Sequence, residues 1–385
     1  MVAARSATSG KPPGGSTDEG AAATPIVKPL PAEWFVDHDT NAEMRWESAA
    51  DQRFATANER FFVRSHTRTP RIDAETYQLE LFGDGLTGSP TADQPLTMSL
   101  DELKAMPPYT LNSFLECTGN GRALFDIQQG MSVPGTPWLL GGIGMATWRG
   151  VRLSSVLRWA GLRVEAVDVM AIGLDDPYVS DGVDHGRVRR PLPVSKALDD
   201  CILALEMNGE LLPPDHGFPV RLVVPGWVGI ASIKWLGQLE VSTRRLESPW
   251  NTYWYRMTGG QYPTDSPPLA DVPVRSSFEL PWGAVFAAGE PVVLCGRSWS
   301  GAAPIERVEV SLDGGQTWQS PRLGGPNGKH SWARWELPWV PCCRGRYELL
   351  ARATDKLGRT QPDTVPFNNE GYLFWAVVRH PVTVV

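Results

Sequence analysis

The chain is poor in several things for its 385 residues: it has five cysteines, six histidines, and fewer basic than acidic side chains, 36 against 43. A formal charge of −7 excludes a sequence-independent grip on nucleic acid or on an anionic membrane surface, since both need an excess of Lys and Arg on one face. No nucleic-acid or membrane partner is expected, and any anionic ligand must meet a local basic cluster. Cys117, Cys201, Cys295, Cys342 and Cys343 are an odd set, which is no disulfide scaffold in a chain this long and points to a reducing compartment. No apolar run approaches the roughly 18 residues of a membrane helix, and the start carries neither a twin-arginine pair nor an apolar signal region. The expected location is the cytoplasm, or the periplasm if a signal was removed.

What is present is turn chemistry and aromatic surface: 38 Gly, 34 Pro and 16 Trp favour a turn-rich β architecture over a helix bundle or coiled coil. Length predicts two or three domains. Residues 1–30 are rich in Ala, Gly, Ser, Thr and Pro with almost no large apolar side chain, and are read as a disordered arm. Residues 31–265 are expected to form a mixed α+β domain. Within it Tyr77–Phe82 is a short apolar stretch, and Leu153, Val156, Leu157 and Ala160 repeat at helical spacing. The Gly- and Pro-rich stretch 249–273 is a boundary crossing. Residues 266–385 change texture: short strands over 291–296, 305–312, 332–337 and 347–353, with Asp313-Gly314-Gly315 as a turn, predict an all-β sandwich.

Three segments bear chemistry. In Asn112–Arg122 the thiol of Cys117 stands where a strand gives way to a loop, with Gly119 and Gly121 permitting close approach and Arg122 able to favour a thiolate or an anion; the same cysteine also reads as a small buried hydrophobe. A zinc site lacks any C-x-x-C pair, because Cys342 and Cys343 are adjacent. A thiol protease would need an oriented histidine such as His216, yet no protease signature accompanies Cys117. Gly141-Gly142-Ile143-Gly144 is a weak phosphate loop, since Thr147 stands where the last glycine belongs. The second segment, Pro214–Arg221 with Pro225–Trp235, gathers an imidazole, a guanidinium and an ammonium, donors suited to a phosphate and a heteroaromatic ring or simply to a solvated loop. The third, Phe61–His66, puts Arg64 and His66 on one face if it is extended.

In order and spacing these segments resemble the sulfite oxidase family of molybdenum enzymes, from about Trp34 to the C-terminus. Cys117-Thr-Gly-Asn-Gly-Arg122 is similar to the family's metal-binding cysteine loop, Asp215–Arg221 and Ser232–Trp235 to its molybdopterin loop, and Glu309–Trp318 to its immunoglobulin-like dimerisation domain. The resemblance implies a molybdenum–molybdopterin cofactor with Cys117 as the protein's metal ligand. It assigns pterin and phosphate binding to Phe62, Val63, Arg64, Ser65, His66, Asp175 (with Asp181 competing), His216, Arg221, Ser232, Ile233 and Lys234. Arg64 and Arg122 would hold an anionic substrate and Tyr255 would be the active-site tyrosine. The implied reaction is oxidation of sulfite to sulfate. The alternatives are a related sulfur-compound dehydrogenase and, from another class, a non-catalytic binding protein. A homodimer is implied through the sandwich. No C-x-x-C-H haem attachment occurs, so electrons are expected to leave to a separate acceptor, a cytochrome or dioxygen. Three departures stand out: Ser65 replaces a usual asparagine, Trp254 a usual acidic residue, and Gly301–Pro304 lacks a pocket arginine.

Overall fold

The computed structural model describes residues 25–385. The expected arm therefore falls mostly outside the described residues. Its last part, 25–30, departs from expectation: Ile26 is buried, and the Val27 and Lys28 amides donate to Asp215 at 2.9 and 2.8 Å. One large side chain and two backbone donors with a buried carboxylate to satisfy are enough to order this stretch.

The first half is built on two main sheets, one mixed and one antiparallel. One sheet orders Arg189–Pro193, Asp168–Gly173, Leu236–Ser242, Gln78–Phe82 and Leu96–Ser99, with a parallel pair in the middle. The other orders Glu210–Leu211, Ile202–Met207, Ile143–Arg152 and Pro108–Glu116, with Arg221–Val223 also paired to Ile202–Met207. The helix expected from spacing runs over Leu153–Trp159, because residues 151–152 still belong to the preceding strand. Its buried Leu153, Val156 and Leu157 join Leu79, Leu81, Val169 and Leu239 in one apolar cluster between sheet and helix.

In the second half two four-stranded sheets face each other. One carries Arg275–Phe278, Val292–Trp299, Ala333–Trp339 and Arg322–Gly324; the other carries Ala284–Phe286, Arg379–Val384, Gly345–Asp355 and Ile305–Ser311. Alternation places Val308 and Val310 inside with Phe278, Leu294 and Trp335. The sandwich is not a free appendage. A single apolar cluster includes Trp46, Phe114, Leu124 and Trp148 from the first half together with Trp299, Trp332 and Phe374 from the second. Polar pins cross the same seam: the buried Arg297–Glu279 pair donates onward to the carbonyls of Ala49 and Gln52 at 2.7 and 3.0 Å, and His330 meets Asp200 at 3.0 Å.

Between the last two long strands of the sandwich, residues 361–378 leave it and return to the first half, where Phe374 packs edge-on against Phe125 with ring centres 5.1 Å apart. This return is the element the sequence pattern did not announce.

Candidate active site

The strand Pro108–Glu116 ends at Cys117, whose thiol opens on a cleft lined by the Phe62–His66 segment, the Asp215–Arg221 loop and residues 229–235. The loop holding Cys117 is fixed from below. The Cys117 amide donates to the Gly142 carbonyl at 2.8 Å, and Asn120 accepts from the Gly142 amide at 3.0 Å while donating to Glu116 at 2.8 Å. Glu116, buried, is paired with Arg275 of the sandwich and accepts from Trp299 Nε1 at 2.7 Å. The glycine run beside it binds no phosphate: the amides of Leu139, Leu140 and Gly141 converge at 2.8–2.9 Å on one oxygen of Glu43. A Cβ on Gly141 would stand 1.6 Å from the Met44 carbonyl oxygen, so only glycine lets that turn close on the carboxylate.

Cations crowd the cleft. Arg64, Arg221 and Lys234 all line it. Arg221, committed to the carbonyls of His216 and Ser232 at 2.9 and 3.1 Å, is pushed down to about 9 by burial. Lys234 donates to Ser65 Oγ at 2.7 Å and to the Asp215 carbonyl at 2.8 Å; burial, then the Arg221 charge, holds it well below the usual lysine range. The same two influences, burial first and neighbouring cations after, keep His216 and His66 neutral at physiological pH. Asp175 is raised to about 6, chiefly by burial. For Arg64 burial is outweighed by the facing Tyr255, Cys117, Tyr372 and Tyr178, which raise its pKa.

Two donors, Arg64 Nη2 and Trp250 Nε1, converge on His66 Nε2 at 3.1 Å each, which makes that nitrogen the acceptor and assigns the ring proton to Nδ1. Arg64 Nη2 also reaches the Tyr255 hydroxyl at 3.4 Å. Trp250 is itself held from behind by buried Arg190, which donates to the Trp250 carbonyl.

Of the residues predicted from sequence, Phe62, Arg64, Ser65, His66, Cys117, Asp175, His216, Arg221, Ser232, Ile233 and Lys234 come together around this cleft. Val63 does not join them: its side chain lies in a separate apolar cluster with Ile26, Phe35 and Ala42, as alternation along the strand requires. Asp181 sits exposed in the turn of the hairpin Val179–Asp184, away from the lining. Tyr255 stands behind Arg64. Arg122 is turned aside: Nε and Nη1 donate to the carbonyls of Glu370 and Thr136 at 3.0 and 2.8 Å, and its guanidinium lies 5.8 Å from the Tyr372 ring centre. Gly301–Pro304, where a pocket arginine was sought, is not at the cleft, since Gly301 abuts Gly226 and Val272. The sandwich reaches the site instead through its return segment. Tyr372 stacks flat on Tyr255, centres 5.2 Å apart and planes 7° from parallel, and the Leu373 amide donates to the Thr118 carbonyl at 2.8 Å. Residues 361–378 hold no Lys or Arg. Sequence reasoning missed Tyr372 and the anchoring role of Asp215, whose carboxylate takes the Val27 and Lys28 amides.

Residues 66–250 match the oxidoreductase molybdopterin binding domain, and residues 271–383 the Mo-co oxidoreductase dimerisation domain. Sulfite oxidase of Gallus gallus is 38% identical over 346 residues, covering 84% of this chain and 72% of that one. The chain belongs to the sulfite oxidase family of molybdopterin-dependent oxidoreductases. Mitochondrial sulfite oxidase of Rattus norvegicus is 35% identical over 354 residues, and the chain spans 62% of that relative's length. The sulfane dehydrogenase SoxCD of Paracoccus pantotrophus has the same fold, with a TM-score of 0.74 at 27% identity over 94% of this chain and 91% of that one.

The cleft fits the family's cofactor on its own chemistry. His216 Nε2, Arg221 Nε and Asp175 Oδ1 are buried without a hydrogen-bond partner among the described residues, and all three residues line the same cleft. Buried polar atoms left this way point to a ligand that satisfies them, and a phosphate-bearing pterin brings both acceptors and donors. The soft thiol of Cys117 suits a high-valent molybdenum centre.

Proposed function

We propose that this chain is a molybdenum-dependent oxidoreductase that oxidises sulfite to sulfate, passes the electrons to a separate acceptor, and pairs as a homodimer through the C-terminal sandwich. The observation that carries the reading is the open Cys117 thiol at a cleft where Arg64, Arg221 and Lys234 form no direct ion pair among the described residues. When bound, the molybdenum–molybdopterin supplies the oxygen-transfer and two-electron redox chemistry. Cys117 would ligate the metal; Arg221, Lys234, Ser65 and His216 would hold the pterin and its phosphate. Arg64 stays charged and orients an anion by charge-assisted hydrogen bonding. The Tyr255 hydroxyl keeps its proton, because burial raises its pKa against the pull of Arg64, and so remains a donor beside that anion. Trp250, Tyr255 and Tyr372, packed together, exclude water and strengthen these contacts.

A second reading has an observation of its own. The segment that the sandwich sends to the site brings Tyr372 and the Glu370 carbonyl but no cation, which favours a substrate leaning less on charge. A sulfur-compound dehydrogenase in the manner of the sulfane dehydrogenase fits that wall. The deciding experiment measures molybdenum by elemental analysis, then turnover of sulfite with an artificial electron acceptor. Cys117→Ser should retain pterin and abolish turnover. Normal turnover in Cys117→Ser would overturn the role given to the thiol, and a fully loaded enzyme inert toward sulfite would promote the second reading.

A further inference from the structure

Far along the sandwich, the loop joining Ala333–Trp339 to Gly345–Asp355 carries Cys342 and Cys343, both exposed, with their sulfurs 3.3 Å apart. Adjacent residues of an extended chain point to opposite sides, so the loop has turned both thiols to one face. The turn is fixed by the Tyr347 hydroxyl, which donates to the Cys343 carbonyl at 2.7 Å. Neither thiol has a place in the active site. The other thiols are less accessible to oxidants: Cys201 is buried, Cys295 is half-buried, and Cys117 lies in the cofactor cleft.

We propose that Cys342 and Cys343 form a redox-labile dithiol that closes to a vicinal disulfide by exchange with a small-molecule disulfide of the glutathione class. A thiolate of the pair attacks one sulfur of that disulfide and releases one thiol. The neighbouring cysteine then displaces the second, so two S–H groups become one S–S bond while one S–S bond becomes two S–H groups. Exposed Arg344 and Arg346 follow the pair in the chain and draw an anionic disulfide toward it. The sulfurs must close from 3.3 Å to about 2.05 Å, a bond length common to all disulfides. The Cα atoms of neighbouring residues are only about 3.8 Å apart, short of the roughly 4.4–6.8 Å that disulfides span without strain. The bond is therefore strained, and strained exposed disulfides are the easily reduced ones that report redox state rather than staple a fold.

The test treats the cofactor-loaded chain with oxidised glutathione and reads intact mass and peptide maps. The expected product has lost two hydrogens, with the new bond inside the single peptide holding both cysteines, and reduced glutathione reverses it. Cys343→Ser cannot close the ring and should stop at one stable glutathione adduct on Cys342. Two adducts on one chain, a disulfide between chains, or no change at this peptide would each overturn the proposal.

Discussion

Glu116→Gln probes the joint between the cysteine loop and the sandwich. The Glu116 and Arg275 side chains are only 3% and 4% exposed. One Glu116 oxygen serves Arg275 and Asn120, the other Trp299 Nε1. Glutamine keeps the shape and one acceptor but leaves the Arg275 charge buried and uncompensated. Removing one partner of a buried ion pair costs about 3–5 kcal/mol, and the acceptor that survives puts this case near the lower end, about 3 kcal/mol. For a unit of this size each kcal/mol lowers Tm by roughly 2–4 °C, so thermal unfolding should move down by about 6–12 °C. Because the penalty belongs to the stranded charge, Arg275→Met in the Glu116→Gln background should recover most of it. Thermal or urea unfolding of the two single variants and the double variant completes the cycle. A single variant within about 0.5 kcal/mol of wild type, or strictly additive losses, would refute the argument.

Four further outcomes are expected. Arg221→Ala should yield protein poor in molybdenum, since a buried phosphate needs charge-assisted donors; full loading with only a raised Michaelis constant would contradict this. Asp215→Asn should loosen residues 25–30, because an amide presents one acceptor where the carboxylate now takes Val27, Lys28 and Thr69. Limited proteolysis near residue 28 and faster molybdenum loss on dialysis would register it. Asp200 titrates far below its ordinary value: burial opposes its charge, but hydrogen bonds from His330 and Lys196 outweigh burial. Its contribution is present above the ordinary carboxylate pKa and is lost as pH falls through the depressed one, so the Tm gap between wild type and Asp200→Asn should narrow from about pH 4 downward. Arg122→Gln should weaken substrate binding and turnover together by freeing the Glu370 carbonyl from its donor, and steady-state kinetics would show an unchanged Michaelis constant if that link is irrelevant.

Local chemistry was legible and long-range closure was not. Cys117 after a strand, the cations around His216, and the shared side of Arg64 and His66 are properties of a few neighbouring residues, and the fold respects them. The sandwich strands were legible for the same reason, being short apolar runs a few residues apart, with clear alternation in Ile305–Ser311. Val63 was assigned with its neighbours although strand alternation already turned it away. Residues 25–30 looked too polar to order because composition weighs apolar burial and cannot see Asp215 waiting 187 residues on. Tyr372 was out of reach for a related reason: nothing in an Asn- and Gly-bearing turn tells which of its aromatics will stack on a ring 117 positions earlier.

That return segment makes the active site a shared possession of two folding units. It hangs like a guy rope between two strands of the sandwich and is tied off on Thr118 and Arg122. A catalytic half expressed alone would keep its thiol and its cations yet lose the Tyr372 wall and the acceptor that positions Arg122. Mutational screens confined to the molybdopterin-binding half would accordingly miss a class of inactivating changes. Substitutions deep in the sandwich, far from any chemistry, should surface as altered catalysis before they surface as misfolding.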